Sequence, residues 1–313
     1  MESLQTLKSR LGAVKNIGQI TKAMEVVSAT KMRKAQGFAL AGRPYAFEAL
    51  RLLGTLVESA SDIALSTVPL AERRPVEKTL IVVVVSDRGL AGSFNSQVFR
   101  TTDKFIESDS ADSGSYQHVA VGKKSLQYFS RKGLSPVATF TGFGDYAKSA
   151  QVAPLAEFMI ENFLSKRYDR VVTISTHFRS TLKQETIVRE VLPLSIEKIR
   201  QVIREIVPEQ GRFSELGRDL PSESSAKIPD YIFEPSPSEV LSSLLPELLS
   251  TQLLHLILEA NASEHSARMV AMKAASDNAK DLSVGLQLEY NKARQAGITK
   301  EIIEITSTQA ALG

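Results

Sequence analysis

Hydrophobic positions along this chain change their period twice. From Leu4 to Val14 they keep alternating steps of three and four, Leu4, Leu7, Leu11 and Val14, which is the spacing of a coiled-coil seam. Beyond Val14 the strongest apolar stripe runs Ile17, Ile20, Met24 and Val27, one three-residue step too many, and predicts a stammer that overwinds the coil. The seam then turns small and polar at Ser28, Ala29 and Ala35, which predicts closely packed, thin helices. Gly37, Gly42 and Pro44 predict a weak or kinked helix near residue 40, and a helical pattern resumes from Tyr45 to about Ser59.

The middle of the chain reads as strands alternating with helices. Thr79–Val85 is a β-branched run of the kind buried on both faces of a sheet. Segments 117–121, 136–140, 171–175 and 185–192 read as further strands, with helices near 94–106, 123–132 and 150–165 between them. That alternation predicts a mostly parallel sheet covered by helices, a single α/β domain over 76–195. Six of the twelve prolines then fall between Pro193 and Pro237, together with a serine-rich run, so 196–235 reads as an irregular insert. Within it, Ile196, Ile199, Ile203 and Ile206 keep the spacing of a short helix.

After Pro246 there is no further proline, and the residues are the good helix formers Ala, Leu, Met, Glu, Lys, Arg and Gln. Ala267, Val270, Ala271, Ala274, Ala275, Leu282, Leu286, Tyr290 and Ala293 are expected to line one helical face. A helix of roughly 60 residues would be about 90 Å long, too long to bury in a core of this chain's size. It requires a partner along much of its length, and the N-terminal arm (1–59) is the expected partner for the C-terminal arm (236–313).

Composition narrows the chemistry. With 43% hydrophobic and 23% charged residues among 313, a sizeable core is affordable, and no cysteine is present to form a disulfide, a zinc-thiolate site or a thiol switch. The N-terminus lacks the apolar core of a secretory signal, and the apolar windows at 81–85 and 253–258 are too short to span a bilayer, so membrane association is expected to be indirect. The net charge of +3 divides unevenly: residues 1–43 hold eight basic and two acidic side chains, a balance of +6, leaving −3 on the rest. Such an arm fits an acidic partner surface, or simply a solvated helix face.

Enzymatic and nucleotide readings fare poorly. The glycines of SDRGLAGSFN, Gly89 and Gly92, follow a strand as a phosphate loop would, but their spacing matches neither the dinucleotide nor the Walker pattern. Gly122-Lys123-Lys124-Ser125 lacks the upstream glycine, where Gln117 stands. His118, His177, His255 and His265 are dispersed and make no metal motif. Asp87, Asp145 and Asp169 lie near strand ends without a histidine or lysine partner that sequence can identify, and no nucleophile elbow occurs. The basic arm has no stacking aromatic over residues 1–36, which argues against nucleic acid. No internal repeat is present.

Three stretches carry a resemblance: VKNIGQITKAMEVVSATKMRKAQ at 14–36, SDRGLAGSFN at 86–95, and ASEHSARMVAMKAASDNAKDL with YNKARQAGITKEIIEI at 262–305. They closely resemble the gamma subunits of rotary ATP synthases. The resemblance implies a long antiparallel coiled coil of the terminal helices plus a central Rossmann-like α/β domain that binds no dinucleotide. It implies a non-catalytic rotor shaft with no cofactor or metal, turning among alpha and beta subunits and footed on epsilon and the c-ring. It places the complex peripherally on the cytoplasmic face of a bacterial inner membrane, or on a thylakoid-type membrane. By motif, Lys22 and Met24 in TKAM, and Arg294 and Gln295 in YNKARQ, match beta-subunit contacts; Tyr231 and Glu234 in DYIFEPSP match positions at the foot. Ala91 stands where the family often has cysteine, and 196–229 resembles the insert of photosynthetic members without its regulatory cysteines. A non-rotary coiled-coil scaffold is the second reading and an α/β enzyme with dimerisation arms the third.

Overall fold

A computed structural model of the chain describes residues 3–41, 68–109, 115–195, 234 and 236–312. The expected helix at 45–59, the isoleucine-spaced helix at 196–206, most of the insert, and Tyr231 lie outside them. The described elements are α1 (Leu4–Ala41), a 3-10 turn (Pro69–Ala71), β1 (Lys78–Val84), α2 (Phe94–Asp109), β2 (Ser115–Val121), α3 (Lys123–Arg131), β3 (Ala138–Phe140), α4 (Ser149–Leu164), β4 (Arg170–Phe178), β5 (Gln184–Leu192) and α5 (Pro237–Leu312). They form two units, one of residues 1–29 with 268–313 and the other of residues 30–267. Both α1 and α5 contribute residues to each unit.

The α/β unit is built on a sheet of order β3-β2-β1-β4-β5, parallel except for the antiparallel β4–β5 pair. β1 is the central strand, and its β-branched run is buried on both sides, as its sequence predicts. Leu80, Val82 and Val84 join one core cluster with Leu155, Met159 and Phe163 of α4 and Leu249, Leu253 and Ile257 of α5. Ile81, Val83 and Val85 join the opposite cluster with Val98 of α2 and Tyr128 and Phe129 of α3. Two covered faces explain why the run shows no polar alternation. The strand ends are fastened by Asp169, which accepts hydrogen bonds from the Glu77 and Lys78 amides at 3.0 and 2.9 Å and from Arg74 Nε at 2.8 Å.

The coil unit is antiparallel. Leu7 and Leu11 of α1 form one buried cluster with Leu286 of α5, flanked by Val14, Tyr290 and Ala293. Nearer the N-terminus, a Cβ on Gly297 would sit 3.6 Å from Leu4; further on, one on Gly18 would sit 3.4 Å from the Ala279 Cβ. Rising numbers on α1 therefore meet falling numbers on α5.

The expected stammer is not present. Leu7, Val14, Thr21 and Ser28, interleaved with Leu11, Gly18 and Glu25, are buried or half-buried and keep an unbroken seven-residue repeat. Ile17, Ile20 and Val27, which hydropathy put in the seam, are instead each more than half exposed. On α5 the seam is likewise Met272, Ser276, Ala279, Ser283, Leu286, Tyr290, Ala293 and Gly297. Val270, Ala274 and Leu282 of the expected face point outward. The reason is backbone proximity. At Gly18 the helices approach so closely that an isoleucine would push them apart, and the Thr21 hydroxyl can be buried because it donates to the Ile17 and Gly18 carbonyls at 2.9 and 3.1 Å. Ser276 Oγ crosses to the Gly18 carbonyl at 3.4 Å. Ser28 and Ala35 are buried, as the small-residue pattern predicts, and α1 runs without a break through Gly37.

This register makes a direct prediction. The paired substitutions Gly18→Cys and Ala279→Cys should form a disulfide on mild oxidation in this cysteine-free chain, because the Cβ separation of 3.4 Å is near that of natural bridges. The outward pair Ile17→Cys and Val284→Cys should not. Equal crosslinking of both pairs, read as a shift on a non-reducing gel, would remove the seam assigned above.

Candidate functional site

A doubly wound sheet binds its ligands at the loops beyond the strand ends. After β1, the Asp87 carboxylate accepts the Lys123 amide at the start of α3 at 2.9 Å and the Gly142 amide beyond β3 at 3.0 Å. These are donors that a phosphate would need, and the chain's own anion holds them. Ser86 donates through its amide to Asn95 Oδ1 at 3.1 Å and accepts the Lys124 amide on its carbonyl at 3.1 Å, closing the loop further. Gly122, at φ +89°, lies so near β1 that a Cβ there would meet the Val85 carbonyl oxygen at 2.2 Å. Gly122 at this crest therefore serves chain packing.

The three strand-end aspartates prove to be structural anchors. Asp145 does have the lysine and histidine partners that sequence could not identify: Lys31 Nζ lies 2.6 Å from Oδ2, and His265 Nε2 lies 3.1 Å from Oδ1. They are remote along the chain and meet only through the fold. Burial raises the Asp145 pKa and Lys31 and His265 lower it, with the balance below the ordinary carboxylate range.

Behind the sheet, the Glu259 carboxylate of α5 is buried. Its Oε2 lies 2.8 Å from His177 Nδ1 on β4 and 3.7 Å from Arg189 Nη1 on β5, and its Oε1 lies 3.7 Å from His255. Burial pushes its pKa up, while His255, His177 and Arg189 outweigh that and hold it below the usual value. Ser266 Oγ on the same helix donates to the Thr181 carbonyl in the β4–β5 turn at 2.6 Å. Sequence offered no sign of this network, because 177, 189 and 259 share no local motif.

The sequence-derived contact residues lie elsewhere. Lys22 is exposed on α1 and pairs with Glu25 at 2.9 Å, and Met24 beside it is half-buried. Arg294 and Gln295 are both exposed on α5, and the Gln295 carbonyl accepts the Thr299 hydroxyl at 3.0 Å. Gly18 stands level with Ala279 and Leu4 with Gly297, so Lys22 and Arg294 are separated by about 19 residues of helix, on the order of 28 Å along the coil. They stand at two separate levels and do not form one site. Glu234 is exposed ahead of α5.

What the hydropathy reading missed is the apolar surface. Ile17, Ile20, Val26 and Val27 on α1, with Leu282, Val284 and Leu288 on α5, are all more than half exposed, as are Ile302, Ile303 and Ile305 near the end of α5. Helices normally bury such residues against something, so this surface awaits a partner. Among the described residues no helix is long and apolar enough to cross a membrane.

Comparisons with known proteins agree in one direction. A family model described as ATP synthase matches residues 3–312. The chain is 42% identical over 313 residues to the ATP synthase gamma chain of Roseiflexus castenholzii, covering 100% of this chain and 99% of the relative. It is 38% identical over 316 residues to that of a Cyanothece species, covering all of both. Among solved structures, a chain of the Euglena gracilis mitochondrial ATP synthase, in its OSCP/F1/c-ring assembly, aligns over 99% of this chain and 94% of its own length with a TM-score of 0.63 and 17% identity. A chain of the Tetrahymena thermophila central stalk and c-ring covers 82% of this chain and 99% of its own length, with a TM-score of 0.56 and 21% identity.

Proposed function

The chain belongs to the ATP synthase gamma family, and from that premise we propose that it is the central rotor shaft of an F-type enzyme, coupling proton flow through a c-ring to ATP synthesis. In this reading nucleotide chemistry resides on beta subunits, and the chain itself is non-catalytic. The alpha and beta subunits surround the coil, epsilon and the c-ring meet the α/β foot, and the membrane is reached only through the c-ring. The complex sits peripherally on the cytoplasmic face of a bacterial inner membrane.

The observation that carries the reading is the coil's outer surface. A partner can shift the populations of other proteins' conformations only by contacting them differently. The outer face of the coil meets that requirement: Lys22 projects from one level, Arg294 and Gln295 from another, and exposed isoleucines and leucines separate them. A ring of three equivalent beta subunits around such a rod would meet a different chemical face at each position. The basic balance of the first 43 residues supplies attraction to acidic beta segments.

Arg294 gives the sharpest test. A guanidinium can hold a carboxylate through two parallel hydrogen bonds that lysine cannot reproduce. Arg294→Ala in a complex reconstituted with alpha and beta subunits is expected to remove a charge-assisted contact worth about 1.5–3 kcal/mol. Turnover should fall while complex yield stays normal, and Arg294→Lys should restore it only in part. ATPase rate and yield measure the two effects separately. Wild-type turnover in Arg294→Ala would remove this contact from the mechanism, and failure of the wild-type chain to form a complex would remove the rotor reading.

A further inference from the structure

A shaft must be fastened to its foot, and of the two helices α5 has the more extensive attachment to the α/β layers. α5 is held by apolar packing: Leu245, Leu249, Leu253, Leu256 and Ile257 lie in the main core beside β1 and α4. Directional contacts reinforce that packing: Glu259 of α5 pairs with His177 and Arg189 of the sheet, and Ser266 donates to the Thr181 carbonyl. α1 is held at its last turns by directional contacts to the loop between β3 and α4. Lys31 pairs with Asp145 at 2.6 Å, the Phe38 and Tyr146 rings lie 5.4 Å apart, and Lys34 Nζ stands 5.9 Å from the Tyr146 ring centre.

The loop itself is keyed from both sides. Gly142 donates its amide to Asp87 at the end of β1, and the Gly144 carbonyl accepts Asn261 Nδ2 of α5 at 3.1 Å. Gly142 and Gly144 adopt φ +82° and +66°, with open space where a Cβ would stand, so they are there for the turn they permit. At the centre, Asp145 offers one oxygen to each helix, Oδ2 to Lys31 of α1 and Oδ1 to His265 of α5. One carboxylate thus bridges both helices, and through Asp87 its loop is tied to the central strand.

We propose that Asp145 is a positioning residue for rotary coupling: it keys α1 and α5 to the α/β layers together, so that torque on those layers turns both helices and α1 does not slip against α5. This rests on the rotor reading, and it adds a residue and a mechanical role to it. The Asp145 side chain is 36% exposed, so its value is geometric and not a large share of folding stability.

The test uses the assembled complex with alpha and beta subunits immobilised. A single Leu182→Cys substitution in the β4–β5 turn, where Leu182 is 84% exposed, carries a bead in this cysteine-free chain. The angular spread of the bead in a stalled complex reports torsional stiffness. Tethers acting in parallel add their stiffnesses, so loss of the carboxylate bridge in Asp145→Asn should raise the angular variance above the parent's, by less than twofold because the Tyr146 contacts of α1 remain. Asp145→Glu should restore most of the stiffness, while unloaded ATP hydrolysis stays at the parent rate. Lys31→Ala and His265→Gln each remove one arm and serve equally if Asp145→Asn fails to assemble, with Lys31→Ala expected to give the larger rise. Unchanged variance in the assembled variants overturns the proposal. A parent complex whose bead does not turn with ATP overturns the rotor reading instead.

Discussion

Replacing Glu259 by alanine is expected to cost about 3–5 kcal/mol of folding stability, the usual effect of taking one partner from a buried charge cluster. Arg189, only about a tenth exposed, would lose a carboxylate at 3.7 Å, and the ring nitrogen of His177 would lose a partner at 2.8 Å. In a domain of this size that corresponds to a fall in melting temperature of roughly 10 °C. Glu259→Gln, which keeps the shape and a hydrogen-bonding oxygen, should cost less. The pH dependence has a definite sign. Because the folded pKa of Glu259 lies below its ordinary value, the carboxylate binds its proton more readily when unfolded. Its stabilising contribution is complete above the ordinary carboxylate range and is lost as pH falls through the lowered folded value. Asp145 and Asp169, shifted in the same direction, add to the same acid loss. Thermal melts of the full chain from neutral to acid pH, parent against Glu259→Ala, measure both effects. A fall of less than 2 °C on roughly the 10 °C scale would show that the network is not a source of stability.

Gly122→Ala should be comparably damaging for a different reason. The residue sits at φ +89°, and its added Cβ would lie 2.2 Å from the Val85 carbonyl oxygen and 2.9 Å from the carbonyl carbon. The unfavourable backbone conformation costs about 1–3 kcal/mol. Displacing a central strand in a packed interior adds about 1–3 kcal/mol more. The neighbouring comparison is Gly133→Ala, at φ +69° with nothing within 4 Å of the added carbon, where only the backbone cost applies. Denaturant midpoints of the two variants should therefore differ clearly, with Gly122→Ala the less stable. Equal midpoints would mean that the β1 end yields without penalty.

The α/β unit was largely legible from sequence because its signals are local. A run such as IVVVV marks a strand covered on both faces, and several breaks between strands and helices carry glycines, among them Gly89, Gly92, Gly122, Gly133, Gly142 and Gly144. All five strands lie within two residues of their expected starts, and α2, α3 and α4 within a few residues of their expected ends. The long C-terminal helix was legible for the same reason, from helix-forming residues unbroken by proline after Pro246. The candidate contact residues were legible only through resemblance to a family, since an exposed arginine on a helix carries no mark of its role.

The coil's seam shows the limit from the other side. Sequence alone determined that the two arms are helices in need of partners, because helix propensity and apolar period are properties of neighbouring residues. Which face each arm buries was decided only in the tertiary structure. Gly18, Thr21, Ser28, Ser276 and Ser283 are in the seam because the two backbones come close and the Thr21 and Ser276 hydroxyls bond to carbonyls there. Ile17, Ile20 and Val27, more apolar than any of these, face outward. Hydropathy ranks a residue by its cost in water, but a tight helix pair selects first for size. The same holds for Asp145 and Glu259, whose partners lie far apart in the chain and become neighbours only when the sheet is complete.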